Sequence, residues 1–284
     1  MKVSDAPLTV ERAAEPRQLH VPGLGPRRVA SITELSRTAR FVYGLCGIVF
    51  VLGFWELAAR LDWVKAYEAS SPSGIVRAGY HLAQSGVLWP AFVSTAKVFG
   101  IGFAISLGSG LIIGVILGWY KRVEAILDPW ISILYATPRF ALLPLIVVWA
   151  GVGLRAQIVV VWLISVFPII INTQAGVGSI DRAHFRVARS FLATNRDVLM
   201  SVALPGAVPA IVAGIRQGLI QGLTGVVVAE YFFGNTGVGG LIFTSGLQLN
   251  TGAAFCGAAI FAIAALVLVA ALRALERRLD RWRG

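Results

Sequence analysis

Six stretches of this chain are apolar for long enough to cross a lipid bilayer. The first, "FVYGLCGIVFVLGFWELAA" at 41–59, holds a single charged residue. A helix needs roughly 20 such residues to span the hydrocarbon core, and a helix satisfies its own backbone hydrogen bonds where no water can. The other five fall at about 92–119, 126–149, 157–172, 207–232 and 252–275; Pro129, Pro138 and Pro144 interrupt the third. Composition agrees: 57% of residues are hydrophobic and 14% charged, against about 25% charged in an average soluble domain. The expected fold is all-α, a polytopic membrane protein with about six transmembrane helices.

The formal charge of +11 points to loops on the cytoplasmic side of a membrane, where Lys and Arg gather, rather than to nucleic acid. With the N-terminus inside, the inside segments (1–40, 120–125, 175–204, 272–284) hold 18 Lys and Arg and the outside segments (60–91, 150–156, 233–251) hold 4. Both termini are therefore expected in the cytoplasm. Residues 1–40 read as a basic, disordered cytoplasmic tail, 41–59 as an uncleaved first helix, and 60–91 as an extracytoplasmic segment with an SPS turn and a short amphipathic helix. Residues 92–276 read as the main transmembrane domain and 277–284 as a cytoplasmic tail, with Trp282 anchored among lipid headgroups. Cys46 and Cys256 lie in apolar segments and suggest neither a disulfide nor a metal site.

In the second span Gly102, Ser106, Gly110, Gly114 and Gly118 recur every four residues. This lines one helix face with small side chains, which in lipid marks a helix contact, either within one subunit or between two. A second irregularity is the polar stretch "RVARSFLATNRDVLMSVALP" at 186–205, set among apolar spans. Ile180, Val187, Ala188, Phe191 and Leu192 share one helical face, with Arg182, Arg186 and Arg189 on another. Thr194 and Asp197 then form a helix-start pattern. The spacing predicts a short helix, a tight break and a second helix entering the membrane near Pro205. Taken alone, a basic amphipathic helix also suits a membrane surface.

This segment resembles the cytoplasmic coupling loop, at 175–205 here, of permease subunits of ABC importers. That pattern is EAA, three residues, a glycine, nine residues and I-x-L-P. Ala188 matches the third position, and Val202, Leu204 and Pro205 match the close; Arg186, Val187 and Leu192 depart from it. "SPSGIVRAGYHLAQSGVLWP" and "LDPWISILYATPRFALLPLIVVWAGVG" look like the branch that imports nitrate, sulfonates such as taurine, and bicarbonate. The resemblance covers about residues 70–284. It implies a MetI-like permease fold in a bacterial inner membrane and ATPase coupling through Arg186, Val187, Ala188, Arg189, Ser190, Leu192, Val202, Leu204 and Pro205. The implied partners are cytoplasmic ATPase subunits, an extracytoplasmic solute-binding protein and a second permease, a homodimer. The chain lacks a GxxxxGK[ST] loop, and "GNTGVGG" at 234–240 has no lysine. The resemblance thus places ATP and Mg on the partner, with no cofactor, metal or catalytic residue here.

Ionisable residues within spans cost roughly 2.5–3.5 kcal/mol at the helix centre and usually face a cavity or a partner. Lys97, Arg139, Arg216 and Glu230 are the candidates for a translocation path. Arg139, between Pro138 and Pro144, suits an anion. Alternatively Arg139 and Glu230 neutralise each other, or Arg139 and Arg216 reach the headgroups. A stand-alone carrier driven by an ion gradient would not explain the coupling pattern. A membrane enzyme ranks lowest, because His20, His81 and His184 fall in unrelated polar segments.

Overall fold

The computed structural model describes residues 37–63, 65, 68–233 and 236–280. Residues 1–36 of the expected tail, and Trp282, lie outside the described residues. One unit, ending at Phe50, contains the leading half of helix α1 (Arg37–Arg60), whose apolar side chains are exposed. The unit from Val51 onward contains the remaining helices: α2 (Pro72–Gln84), α3 (Leu88–Trp119), α4 (Lys121–Ala136), α5 (Leu143–Ala150), α6 (Leu154–Gly178), α7 (Arg182–Ser190), α8 (Asn195–Val198), α9 (Leu204–Phe233), α10 (Gly237–Leu247) and α11 (Thr251–Asp280). Five helical runs are long and apolar enough to span a membrane, and a sixth span results if the bent pair of Lys121–Ala136 with Arg139–Ala150 counts as one.

That pair bends by 91°. Of the three prolines expected to break it, Pro129 sits inside α4 without ending it, and Pro144 lies in the first turn of α5, where its missing N–H costs nothing. Pro138 makes the break. It holds Thr137 extended (φ −67°, ψ 134°), as the residue before a proline prefers, and a 3-10 turn over Arg139–Leu142 leads into α5. The fifth span starts earlier than its hydropathy suggests. A continuous 39-residue helical run, Asn195–Phe233, joins α8 to α9 through a π-helical turn at Leu199–Ala203. At 1.5 Å per residue this rod is about 58 Å long, well beyond the ~30 Å hydrocarbon core. The stretch 233–251, expected only as an external segment, contains α10.

Helix α6 lies at the centre, flanked by α3 and α9, with its side chains from Val160 to Ile170 largely buried. The α3 stripe packs against α6 of the same chain, and all five small residues are buried. A Cβ built on Gly102, Gly110, Gly114 or Gly118 would fall within 2.6–2.8 Å of Val161, Ile169, Thr173 or Val177. Ser106 Oγ donates to the Gly102 carbonyl at 2.8 Å and approaches the Trp162 carbonyl at 3.2 Å. An adjoining face of α6 meets a second stripe, Gly214, Gly218, Gly222 and Gly225 on α9, which the sequence reading passed over; Ile169 touches both stripes, at Gly110 and at Gly218. A Cβ on Gly214 would lie 2.7 Å from Asn172 Cβ, and one on Gly218 2.8 Å from the Ser165 carbonyl oxygen.

At Gly114 the obstruction includes backbone, the Ile170 carbonyl at 2.8 Å. Gly114→Ala should therefore overpack the α3–α6 contact and cost about 1–3 kcal/mol. Gly108→Ala, on the same helix with nothing within 4 Å of the new methyl, should leave stability unchanged. Thermal unfolding of the two purified variants in detergent separates them.

Candidate functional site: the coupling bend and the membrane cavity

The bend begins where α6 ends. Asp181 starts α7 by accepting from the Ala183 N–H through its carboxylate (2.9 Å) and from the His184 N–H through its carbonyl (3.0 Å). Phe185 stacks on Trp119, with ring centroids 5.7 Å apart, which ties α7 to the end of α3. The helix closes with the Ala193 N–H donating to the Ala188 carbonyl (3.2 Å) and Leu192 at φ 59°. This is a Schellman closure, whose left-handed position favours glycine. The glycine of the resembled pattern thus has a conformational reason, and Leu192 holds that conformation under strain.

Thr194 starts the next helix with both halves of a capping box. Its N–H donates to Asp197 Oδ2 at 2.9 Å, and the Asp197 N–H donates to Thr194 Oγ1 at 3.3 Å. The π turn follows, and Val198 and Ala203 are buried where it enters the bundle. Between the two helices Phe191 and Leu192 are 81% and 91% exposed. Arg186 and Val187 are exposed as well, whereas Ala188 is half-buried.

The four ionisable residues do not converge. Lys97 is on an exposed face of α3. Arg216 meets Glu276 on α11 at 3.4 Å, with the arginine side chain 43% and the glutamate 15% exposed. Glu230 is fully buried and does not meet Arg139. Thr95 Oγ1 on α3 donates to Glu230 Oε1 at 2.7 Å, and the Gly239 N–H donates to Oε2 at 2.8 Å. The Val238 N–H in turn donates to Thr95 Oγ1 at 2.9 Å. The carboxylate therefore takes up a free N–H of the first turn of α10. A side chain at Gly237 (φ +77°) would overlap the carboxylate.

Arg139 Nη1 donates to Gln221 Oε1 at 2.7 Å and to the Ile164 carbonyl at 3.2 Å, and its guanidinium carbon lies 5.0 Å from the Tyr135 ring centre. With Thr137 and Thr224 these residues line a cavity of about 390 Å³. On the same span Gln174 of α6 donates to Asp128 (3.0 Å) and Glu124 (3.3 Å), around a separate cavity of about 410 Å³. Gln221, Thr95 and the start of α10 carried no signal in sequence, since their partners are 82, 135 and 9 residues away.

Residues 110–283 match the family described as binding-protein-dependent transport system inner membrane component. The chain is 30% identical to a taurine transport system permease of Escherichia coli (strain K12), over 92% of this chain and 96% of that one. It is 33% identical to a Bacillus subtilis (strain 168) permease named for aliphatic sulfonates, over 85% and 87%, and 32% identical to a riboflavin transport permease of Chloroflexus aurantiacus, over 83% and 88%. The fold is similar to a chain of the MetNI methionine ABC transporter in an inward-facing conformation, with TM-score 0.54 and 21% identity over 69% of this chain and 94% of that one. The chain belongs to this family of transport-system inner membrane components. It is a multi-pass permease subunit of an ATP-driven importer, a transport component rather than an enzyme.

A non-glycine residue in the left-handed conformation costs about 1–2 kcal/mol. Leu192→Gly should therefore stabilise the bend by about 1 kcal/mol, seen as slower hydrogen exchange at the Phe191 and Ala193 amides. Glu230→Ala should act at the other end of α9, leaving the buried Gly239 N–H unsatisfied and removing the acceptor that fixes Thr95, and so speeding exchange at 238–239.

Proposed function

We propose that two copies of this chain enclose the path of an importer for a small anion, a sulfonate such as taurine or, by the resembled branch, nitrate or bicarbonate. A solute-binding protein delivers the anion from outside, and cytoplasmic ATPase subunits, which hold ATP and Mg, drive its uptake. Both termini are placed in the cytoplasm; the excess of Lys and Arg on that side supports this orientation. The names of the taurine and sulfonate relatives support the substrate class.

The observation that carries the coupling role is the bend itself. A short helix, a strained closure and a capped restart leave two large apolar side chains bare, and the restart runs without a break into α9 as one 39-residue helical run. We assign ATPase docking to Arg186, Val187, Ala188, Arg189, Ser190 and Leu192, with Phe191 beside them. Val202, Leu204 and Pro205 form the root of the rod. A displacement of α7 then reaches the membrane through α9, which carries Gln221 against Arg139 and Glu230 against α10. A conformational change needs a partner that favours one state, and the ATPase supplies that bias.

Arg139 is assigned to the path. Lipid is a poor neighbour for the guanidinium and for the exposed Thr224 beside it, and irregular backbone such as that at Pro138 is tolerated at membrane depth where it lines a cavity or is covered by protein. A second copy across this face meets both needs. Glu230 is assigned as a brace on α10, Arg216 as a structural pair with Glu276, and Lys97 as a weaker candidate for the path.

Purification of the tagged chain from native membranes in mild detergent tests this reading. A stoichiometric ATPase should co-purify and be lost when Ala188 and Arg189 are replaced by glutamate. Arg186→Glu should lower binding-protein-stimulated ATP hydrolysis by about tenfold or more, because the arginine needs an acidic or neutral partner on the ATPase. A chain that purifies alone and transports on an ion gradient would overturn the proposal.

A further inference from the structure

The contacts of Arg139 leave one particular edge of its guanidinium open. A guanidinium has five N–H donors in a fixed plane. Both hydrogens of Nη1 are used within the protein, one on Gln221 Oε1 and one on the Ile164 carbonyl. The guanidinium carbon sits over the Tyr135 ring, 5.0 Å from its centre. Nε and Nη2 take no partner among the described residues, and they form the side-on edge whose two parallel N–H groups match two oxygens of one oxyanion. Arg139 lines a cavity of about 390 Å³. No carboxylate among the described residues lines that cavity; Glu124 and Asp128 on the same span face the separate one and are held there by Gln174. The Tyr135 hydroxyl also has no partner among the described residues and adds a donor to the lining.

A guanidinium clamped on one nitrogen and open on the opposite edge is prepared for a ligand, since its side chain has already lost the freedom that binding would otherwise cost. We propose that Arg139 and Gln221 build an oxyanion subsite inside the permease, which takes the negatively charged head of the transported solute, a sulfonate or carboxylate, through the Nε and Nη2 donors of Arg139. This rests on the permease reading above and adds that the membrane subunit itself discriminates by charge, after the binding protein has released the solute. Gln221 is the positioning residue. It lies on α9, the rod that starts at the coupling bend, so movement of that rod repositions the clamp.

The test uses the chain purified with its ATPase in phosphatidylcholine nanodiscs, without the binding protein, titrated with methanesulfonate. Saturable binding is expected, with none for methanesulfonamide, which has nearly the same shape and no charge. Arg139→Gln should weaken methanesulfonate binding about tenfold or more, the loss of one charge-assisted contact. Arg139→Lys should weaken it less, since lysine keeps the charge but not the fork. Gln221→Glu should weaken it with Arg139 intact, because the new carboxylate neutralises the clamp. Equal binding of methanesulfonamide, or methanesulfonate binding indifferent to Arg139→Gln, overturns the subsite. Loss of binding in phosphatidylglycerol nanodiscs assigns the edge to a lipid phosphate and overturns it too. ATPase co-purification and its response to the binding protein, read on the same preparations, report separately on the permease reading.

Discussion

The closeness of three backbones sets the terms for everything else in the transmembrane bundle. Helices in lipid gain little from burying apolar side chains, because the tails are as apolar as leucine; they associate through close packing and polar contacts. Here α6 is held on two adjoining faces by glycine-lined helices, α3 through Gly102, Gly110, Gly114 and Gly118, and α9 through Gly214, Gly218, Gly222 and Gly225. The added methyls would fall at distances where side chain or backbone must move. Contacts of this kind resist sliding, so the three helices fix the positions from which the polar residues act.

Helix α9 links the polar sites. It continues the capped restart of the bend, passes Gln221 beside Arg139, and near its end places Glu230 against α10. A carboxylate removed from water is costly unless hydrogen bonds replace its hydration, and Thr95 and the Gly239 N–H supply them. The same arrangement explains the glycines at the start of α10. Gly237 leaves room for the carboxylate at a positive φ, and a Cβ on Gly239 would lie 2.7 Å from the Val227 carbonyl oxygen.

The bend between α7 and α8 was legible because its signals are local. The basic periodicity of Arg182, Arg186 and Arg189, the Thr194–Asp197 box and the apolar restart at Pro205 all lie within about two dozen residues and describe one another's geometry. The site at Arg139 was half legible. Pro138 announced a break and the charge announced a cost, but periodicity could not show which neighbour met the charge. Glu230 was the plausible partner by charge, yet the structure gives Arg139 to Gln221 and a backbone carbonyl, and Glu230 to the Thr95 hydroxyl and the Gly239 N–H. The regular α3 stripe was visible in sequence, and its partner was not. The α9 stripe was overlooked because its glycines are interleaved with Arg216, Gln217 and Gln221.

By itself the sequence determined that the chain crosses a membrane in helices, that Lys and Arg are concentrated in alternate connecting segments, and where the bend between α7 and α8 lies. These follow from run length, from charge asymmetry and from spacings within one or two helical turns. Only the tertiary structure decided which face of α6 each glycine stripe meets, that the stretch after Phe233 turns back as α10, and that Arg139 presents a clamped, open edge. Each depends on residues brought together from separate helices, and hydrogen bonds between side chains 82 or 135 residues apart leave no periodic trace in the chain.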